Sequence, residues 1–467
     1  MKKRLVTALS VFMIAALAAC GAKKEKASLE DTPWNHGSFA IMETDDGYYY
    51  NQGKGGVLHS ENQYVRQALT YHEKASGNEI FLCNKPECNH DGGNDCEATY
   101  KSIKVDNSVL YDGSIYILGT ETEGTMVSVN LYKAALDGSA MDKVGCVIQA
   151  ENTNNQKIYC SKSVTFYKFD QAIDSGFIIH NGNAYVTYFL QFGEGSSGLK
   201  GAGLCRMSLE DGSTEEIYQM EYLSSSFPIR VTGIGDYVYF NLGKLGTTDK
   251  SRRYVISTKE VQKVDEGFIG TEEEEKKTGN DYPKFVSIFY SEDRVYGYPS
   301  DVYYEDGIHF LALDAKTGQV MEDEEIVIHN GEGGEDYGAV KTAFLYDGKL
   351  FVGFENVACF YDLKGNLLGR VKAPLDLIGT NAFGESLLGD GSTSLTAATL
   401  YRDYKISNGN LYFLLSSQAE VMMDFEEMIE TGETYYWQYV HVFSCPLEDA
   451  MQGKDSWKEA YVTTQGR

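Results

Sequence analysis

The chain has 467 residues, enough for two or three ordinary domains, and carries 68 acidic against 41 basic side chains, a formal net charge of -27. That balance repels phosphate backbones, so nucleic acid is excluded as a partner, and solubility is the plain reading of the charge. Gly 48, Tyr 34 and Phe 22 against Pro 7 favour many short strands joined by tight turns over long helices.

In chain order, the first element is an export signal. Lys2, Lys3 and Arg4 precede an apolar run from Leu5 to Leu17, too short to span a bilayer as a stable helix. The run ends in Leu17-Ala18-Ala19-Cys20-Gly21, which resembles the bacterial lipobox, where cleavage before the cysteine leaves its thiol to carry a diacylglycerol. The expectation is a lipoprotein signal peptide over 1–19, a lipidated Cys20, and a charged, aperiodic tether over 20–37. The membrane is then a partner through the N-terminal lipid, and the protein belongs on the extracytoplasmic face of the cell membrane. An ordinary signal peptide with an incidental cysteine is the competing account. No other run approaches 18 apolar residues.

Beyond the tether one pattern recurs: a turn of Asp, Asn or Gly, then a strand with an aromatic at its third position. It occurs as "DDGYYY", "DGSIYIL", "NGNAYVT", "GDYVYF", "EDRVYGY", "DGKLFVGF" and "NGNLYFLL", marked by Gly47, Gly113, Gly182, Asp236, Asp293, Gly348 and Gly409 at spacings of 54 to 69 residues. A second alternating stretch follows each marker, with its own Gly or Lys turn, as in "LYKAALDGSAMDKV" and "CFYDLKGNLLGRV". Two hairpins per repeat make a four-stranded sheet. The fold expected over 38–467 is therefore all-β, a single β-propeller of seven blades, with six or eight as alternatives. A pair of β-sandwiches does not account for the recurring marker. Ring closure is expected to pair the N-terminal stretch "SFAIMETDD" with the last blade, removing the remaining sheet edge. The marker tyrosines read as packing between blades.

The stretch "CNKPECNHDGGNDC" places Cys83, Cys88, His90 and Cys96 on the connection after the first blade. Thiolates and imidazole on one loop suit a tetrahedral structural zinc, although the spacing matches no standard finger. A disulfide, Cys88 with Cys96 or Cys83 with Cys96, is the other solution in an oxidising compartment, and a third is that the residues do neither. Four protein ligands would leave no open position for metal catalysis. Cys146, Cys160, Cys205, Cys359 and Cys445 are scattered, several within apolar strands, where a thiol packs as a small hydrophobe. Together the lipobox, "TDDGYYY", the cysteine segment and the repeated hairpins resemble Firmicutes-type surface lipoproteins of a β-propeller family of unknown function, distantly like TolB-type or quinoprotein-type propellers. The resemblance implies a surface-anchored propeller and supplies no activity.

No G-x-S-x-G elbow, H-E-x-x-H, P-loop or EF-hand loop occurs. "GEGGEDYG" from 331 and "TEEEEKK" over 271–277 read as solvated loops, and "AEVMMDFEEMIETGE" over 419–433 as a helical insertion in the last blade. His180, His309 and His329 fall in separate blades with nothing in the sequence to pair them. Two functions remain in contention. One is a binding or assembly module that offers propeller loops to a glycan, peptide or protein ligand; the other is a carbohydrate-active enzyme, glycosidase or lyase, with its site at the channel mouth. Two carboxylates facing each other at that mouth would favour the enzyme.

Overall fold

A computed structural model describes residues 33–35, 40–53, 67–85, 88, 98, 103–151, 156–160, 176–192, 199–220, 230–241, 251–264, 285–299, 307–317, 319, 321–329, 331, 337–377, 401–421 and 435–466. The strands form seven antiparallel sheets, each built from consecutive strands. Blade 1 is β1 (Met42–Glu43), β2 (Gly47–Gly53), β3 (Gln67–Glu73) and β4 (Glu79–Phe81). Blade 2 is β5 (Lys104–Tyr111), β6 (Ser114–Glu123), β7 (Met126–Ala135) and β8 (Met141–Glu151). Blade 3 is β10 (Phe177–His180), β11 (Asn183–Phe192), β12 (Leu199–Ser208) and β13 (Thr214–Met220), with β9 (Gln156–Cys160) pairing further along β11. Blade 4 is β14 (Arg230–Ile234), β15 (Tyr237–Asn241), β16 (Ser251–Val255) and β17 (Glu260–Lys263). Blade 5 is β18 (Phe285–Tyr290), β19 (Arg294–Pro299), β20 (Ile308–Asp314) and β21 (Ile326–Ile328). Blade 6 is β22 (Val340–Tyr346), β23 (Lys349–Phe354), β24 (Val357–Tyr361) and β25 (Leu367–Lys372). Blade 7 is β26 (Tyr401–Ser407), β27 (Asn410–Val421), β28 (Tyr435–Pro446) and β29 (Lys458–Gly466), with one helical turn, α1 (Leu447–Met451), before β29. The first strands of neighbouring blades touch one another, so they line the axis of a seven-bladed β-propeller.

All seven sequence markers fall on the turn between the first and second strands of a blade. Asp112-Gly113 and Asn408-Gly409 show why those residues are used: φ is 45° and 70° in the first pair, 44° and 74° in the second. Two successive left-handed residues make the tight turn whose twist matches that of the flanking strands, and Asp, Asn and Gly adopt them at least cost. The second stretches are the third and fourth strands of their blades, except in blade 5, where the fourth strand, Ile326–Ile328, begins beyond the stretch ending at Met321. In the region expected to be a helical insertion, Ala419 to Val421 instead continue β27 and pair with β28 from Trp437 to Tyr435. Extended backbone there keeps a twelve-residue ladder, and the remainder of that segment, 422–433, lies outside the described residues. "TEEEEKK" also lies outside them, as does most of "GEGGEDYG".

Between blades, aromatic and aliphatic side chains interdigitate. The largest cluster runs through blades 5, 6 and 7, with Phe310, Phe351, Phe354, Tyr404 and Phe413 fully buried. The turn between third and fourth strands also reaches back onto the preceding blade. At Gly365 a side chain would collide with the Val327 carbonyl of blade 5, and at Gly212 with the Val144 carbonyl of blade 2. Glycine lets backbone meet backbone there, with φ of 83° and 69°.

Closure differs from the sequence expectation. β1, the strand within "SFAIMETDD", pairs with β2 in its own blade, and blade 7 is complete without it. The chain supplies four strands for blade 7 from Tyr401 onward, and among the described residues no strand is exchanged and side chains close the ring. Tyr48 and Tyr50 of blade 1 pack with Tyr412, Leu414, Val440, Val442 and Tyr461 of blade 7. Tyr50 stacks on Tyr461 at 4.5 Å, and Thr463 Oγ1 donates to the Asn51 carbonyl at 3.0 Å.

Candidate functional site

The two ends of the ring are built differently. First-to-second and third-to-fourth connections leave one end, and most are tight turns; second-to-third and blade-to-blade connections leave the other. That other end carries the chain through 54–66, 82–103, 161–176, 265–284, 378–400 and 422–434. Long connections on a rigid scaffold are the usual carriers of binding and catalysis, so this end is the candidate face.

The turn-bearing end of the axis is occupied by the chain itself. A 3-10 turn, Pro33–Asn35, touches β14, β22 and β26, the axial strands of blades 4, 6 and 7, and only a segment on the axis can reach all three. Trp34 meets Tyr346 edge to face at 5.2 Å. The Asn35 side chain accepts from the Ile41 N–H at 2.7 Å and donates to the Ile41 carbonyl at 3.0 Å, satisfying backbone groups as a neighbouring strand would.

The rim of the loop-bearing end is uneven. β27 extends twelve residues from its turn, whereas β23 extends six, so blade 7 rises roughly 20 Å above blade 6 at about 3.3 Å per residue. At the low point, blade 6 reverses through Glu355 and Asn356. Their N–H groups donate to the Ala339 and Tyr337 carbonyls, and the Asn356 carbonyl accepts from Ala373. Lys341 of β22, with its side chain only 9% exposed, bonds Glu355 Oε1 at 2.8 Å. Arg402 of β26 donates through Nη1 to the Glu355 carbonyl at 3.0 Å and to Asn356 Oδ1 at 3.4 Å. Burial pushes the Glu355 carboxyl up, but the Lys341 hydrogen bond and the charges of Lys341 and Arg402 outweigh it and hold the carboxyl below its usual range. Nearby on β26, Asp403 and Lys405 form a buried ion pair at 2.7 Å.

These contacts bear on the sequence candidates one by one. Cys20, His90 and Cys96 lie outside the described residues. Cys83 and Cys88 are half-buried beside Phe81, Ala68 and Ala98 at the root of their loop. The Leu69 carbonyl accepts from the Leu82 N–H, and the Leu69 N–H donates to the Ala98 carbonyl, so the chain leaves and rejoins the sheet at one residue. A loop closed at its root brings its cysteines near one another, which suits either cross-link. Among the described residues no group of three metal-ligating side chains occurs, and half of this cluster is outside that set. Cys205, Cys359 and Cys445 are buried as packing groups, and burial pushes the Cys205 thiol up to about 12.

The three histidines do not fall in three blades as expected: His309 and His329 both belong to blade 5, whose strands β20 and β21 pair, while His180 lies apart in blade 3. His180 Nε2 meets the Gly235 carbonyl at 2.8 Å between blades 3 and 4, His309 Nδ1 meets Glu325 at 2.6 Å on the outer half of blade 5, and His329 is exposed beyond β21. What the sequence reading missed is the group at blades 6 and 7. Its parts sit in "VKTAF", "FENVA" and "YRDYK", and only the contact between blades brings them together.

No known protein family matches the sequence, and no curated protein matches it. Among solved structures the chain is similar to the β-propeller domain of the Trilobed protease from Pyrococcus furiosus, which has an open velcro topology, at 10% identity and a TM-score of 0.43, over 92% of this chain and 97% of that one. It is also similar to a putative 6-phosphogluconolactonase from Bacteroides fragilis, at 9% identity and a TM-score of 0.36, over 90% and 99%. A third is an α-L-arabinanase from Penicillium chrysogenum, solved with arabinobiose, at 9% identity and a TM-score of 0.34, over 84% and 90%. Likenesses this distant carry no function across; the seven blades stand on the strand pairing itself.

Proposed function

We propose that the protein is an extracytoplasmic binding module, held on the cell membrane by a lipid on Cys20 and offering the loop-bearing end of its ring to a glycan, peptide or protein. The observation that supports this reading is the position of Pro33–Asn35 at the turn-bearing end of the axis. Cys20 precedes Pro33 by 13 positions, a reach of at most ~45 Å at about 3.4 Å per residue. A tether of that length sets the turn-bearing end toward the membrane and the loop-bearing end outward.

Ion pairing favours binding over glycoside hydrolysis. A glycosidase acid must be protonated before it acts, whereas Lys341 and Arg402 hold the Glu355 carboxyl below its usual range.

An epitope tag at Asn356 and another at Lys364, on opposite ends of blade 6, test the orientation on intact cells stripped of their outer layers. Antibody is expected to reach the tag at Asn356 far better, and equal or reversed access would sink the orientation. Cys20→Ser should abolish labelling of the protein by a fatty acid, with the chain either released or left as uncut precursor; label retained on this variant would sink the anchor.

A further inference from the structure

We propose that Arg402 and Asn356 form a recognition site for a carboxylate group on the ligand, in the notch between low blade 6 and tall blade 7. The proposal names a ligand chemistry for the loop-bearing face and so rests on the binding-module reading above. It begins from charge. In a chain of net charge -27, Arg206 pairs with Glu215 at 2.9 Å and Arg294 pairs with Glu324 and Asp293, whereas Arg253 donates to the Gln262 side chain. Arg402 meets no carboxylate within ion-pair distance among the described residues; its two bonds go to an amide oxygen and a backbone carbonyl. The carboxylate beside it, Glu355, is engaged by Lys341. One acid lies between two cations, and the local balance is positive.

Geometry then makes the charge specific. Both bonds are made by Nη1, which fixes the plane of the guanidinium and leaves the Nε and Nη2 donors side by side. That edge matches the two oxygens of a carboxylate, and a fork already held in place loses little freedom when it binds. Asn356 is exposed, and its Oδ1 is turned to Arg402, so its Nδ2 donors remain for the same ligand. The turn that carries it is held by three backbone bonds.

Calorimetry on the full-length protein in detergent tests the site with galacturonate, neutral galactose and inorganic phosphate as probes. One equivalent of galacturonate is expected to bind with a Kd on the order of 1 mM, a small ligand's share of a larger one, and galactose is expected not to bind. Asn356→Asp places a repelling carboxylate at an exposed turn, so it should weaken galacturonate binding about tenfold or more without moving the melting temperature. Arg402→Lys should lose most of the affinity too, because an ammonium lacks the fork. Binding unchanged by Asn356→Asp, equal binding of galactose, or heat with phosphate alone would each overturn the carboxylate assignment, as would silence from all three probes. None of these outcomes touches the tag and Cys20→Ser results, on which the binding-module reading is judged.

Discussion

The interface between blades 6 and 7 and the seam between blades 7 and 1 do the same task with different chemistry. At the first, Phe351, Phe360, Tyr404 and Phe413 form part of one apolar core, Trp457 Nε1 donates to the Lys372 carbonyl at 2.7 Å, and α1 packs on β25. At the seam the rings are tyrosines, Glu43 is buried, and Lys74 bonds it at 2.7 Å while lying 4.8 Å from the Tyr48 ring. The turn that elsewhere drives glycine onto the preceding blade finds nothing at Gly77, where no described atom lies within 4 Å of an added side chain. Neighbours joined by a connection are already close; blades 1 and 7 are not, and among the described residues no strand is exchanged, so their contact rests on side chains. The seam is therefore where the ring should respond most to mutation.

The largest effect should come from truncation at Trp437, which removes β28, β29 and with them Tyr461. Loss of the whole cooperative melting transition is expected, and a truncated protein as resistant to protease as its parent would show that the seam is dispensable. Tyr461→Ala is next, at about 3–5 kcal/mol for a fully buried aromatic, since it removes the stack on Tyr50 and the contact with Tyr48. Chemical denaturation measures it. A cost near that of an exposed residue would mean that the seam is already open in solution.

Alkaline pH should weaken the seam along with other interfaces where burial raises a tyrosine, Tyr404 between blades 6 and 7 among them. Burial, with the Glu79 hydrogen bond and charge at Tyr50 and the Glu43 charge at Tyr412, raises both phenols above their ordinary value of 10, and burial raises Tyr461 as well. A folded pKa above the unfolded one gives stability that is complete below pH 10 and is lost as pH climbs toward the folded value. The melting temperature should fall steeply above pH 10, and Tyr461→Ala should shallow that fall. Parallel pH curves for parent and variant would place the titrating groups elsewhere.

Trp34→Ala should cost less, about 1–2 kcal/mol for a half-buried ring, because blades 4, 6 and 7 keep their own cores. The smallest effect should follow chelator or reductant acting on the loop of Cys83 and Cys88. Backbone bonds at Leu69 already hold its root, so the melting temperature should barely move with either agent, whether the loop carries zinc, a disulfide or neither. Native and denaturing mass spectrometry distinguish the two, since zinc survives only the first and a disulfide survives both.

Much of the ring could be read directly. Asp-Gly and Asn-Gly turns before an aromatic strand are local chemistry, set by which residues tolerate positive φ, so blades 2, 3, 6 and 7 announced themselves at their first turn, and blades 1, 4 and 5 through related Asp-containing turns. Histidine placement was legible only in part: the sequence put His180, His309 and His329 in three blades, whereas His309 and His329 share blade 5 because β20 and β21 pair across its outer edge. The helical reading of 419–433 began in error because Ala419 to Val421 obey the pairing partner across the hairpin, a contact that periodicity does not see.

Sequence by itself determined the fold class and the recurrence of seven hairpin markers, because these depend on turn residues and alternation within a few positions. Tertiary structure decided how the ring closes and where an unmatched charge lies. Whether "SFAIMETDD" joins blade 1 or blade 7 depends on which sheet lacks a strand, a property of both chain ends together. In the same way Arg402 resembles any strand arginine until the turn of blade 6 meets it with a backbone carbonyl and an amide, while Lys341 takes the acid. Electrostatic pairing depends on distance in space, and residues 341, 355 and 402 become neighbours only when two blades pack.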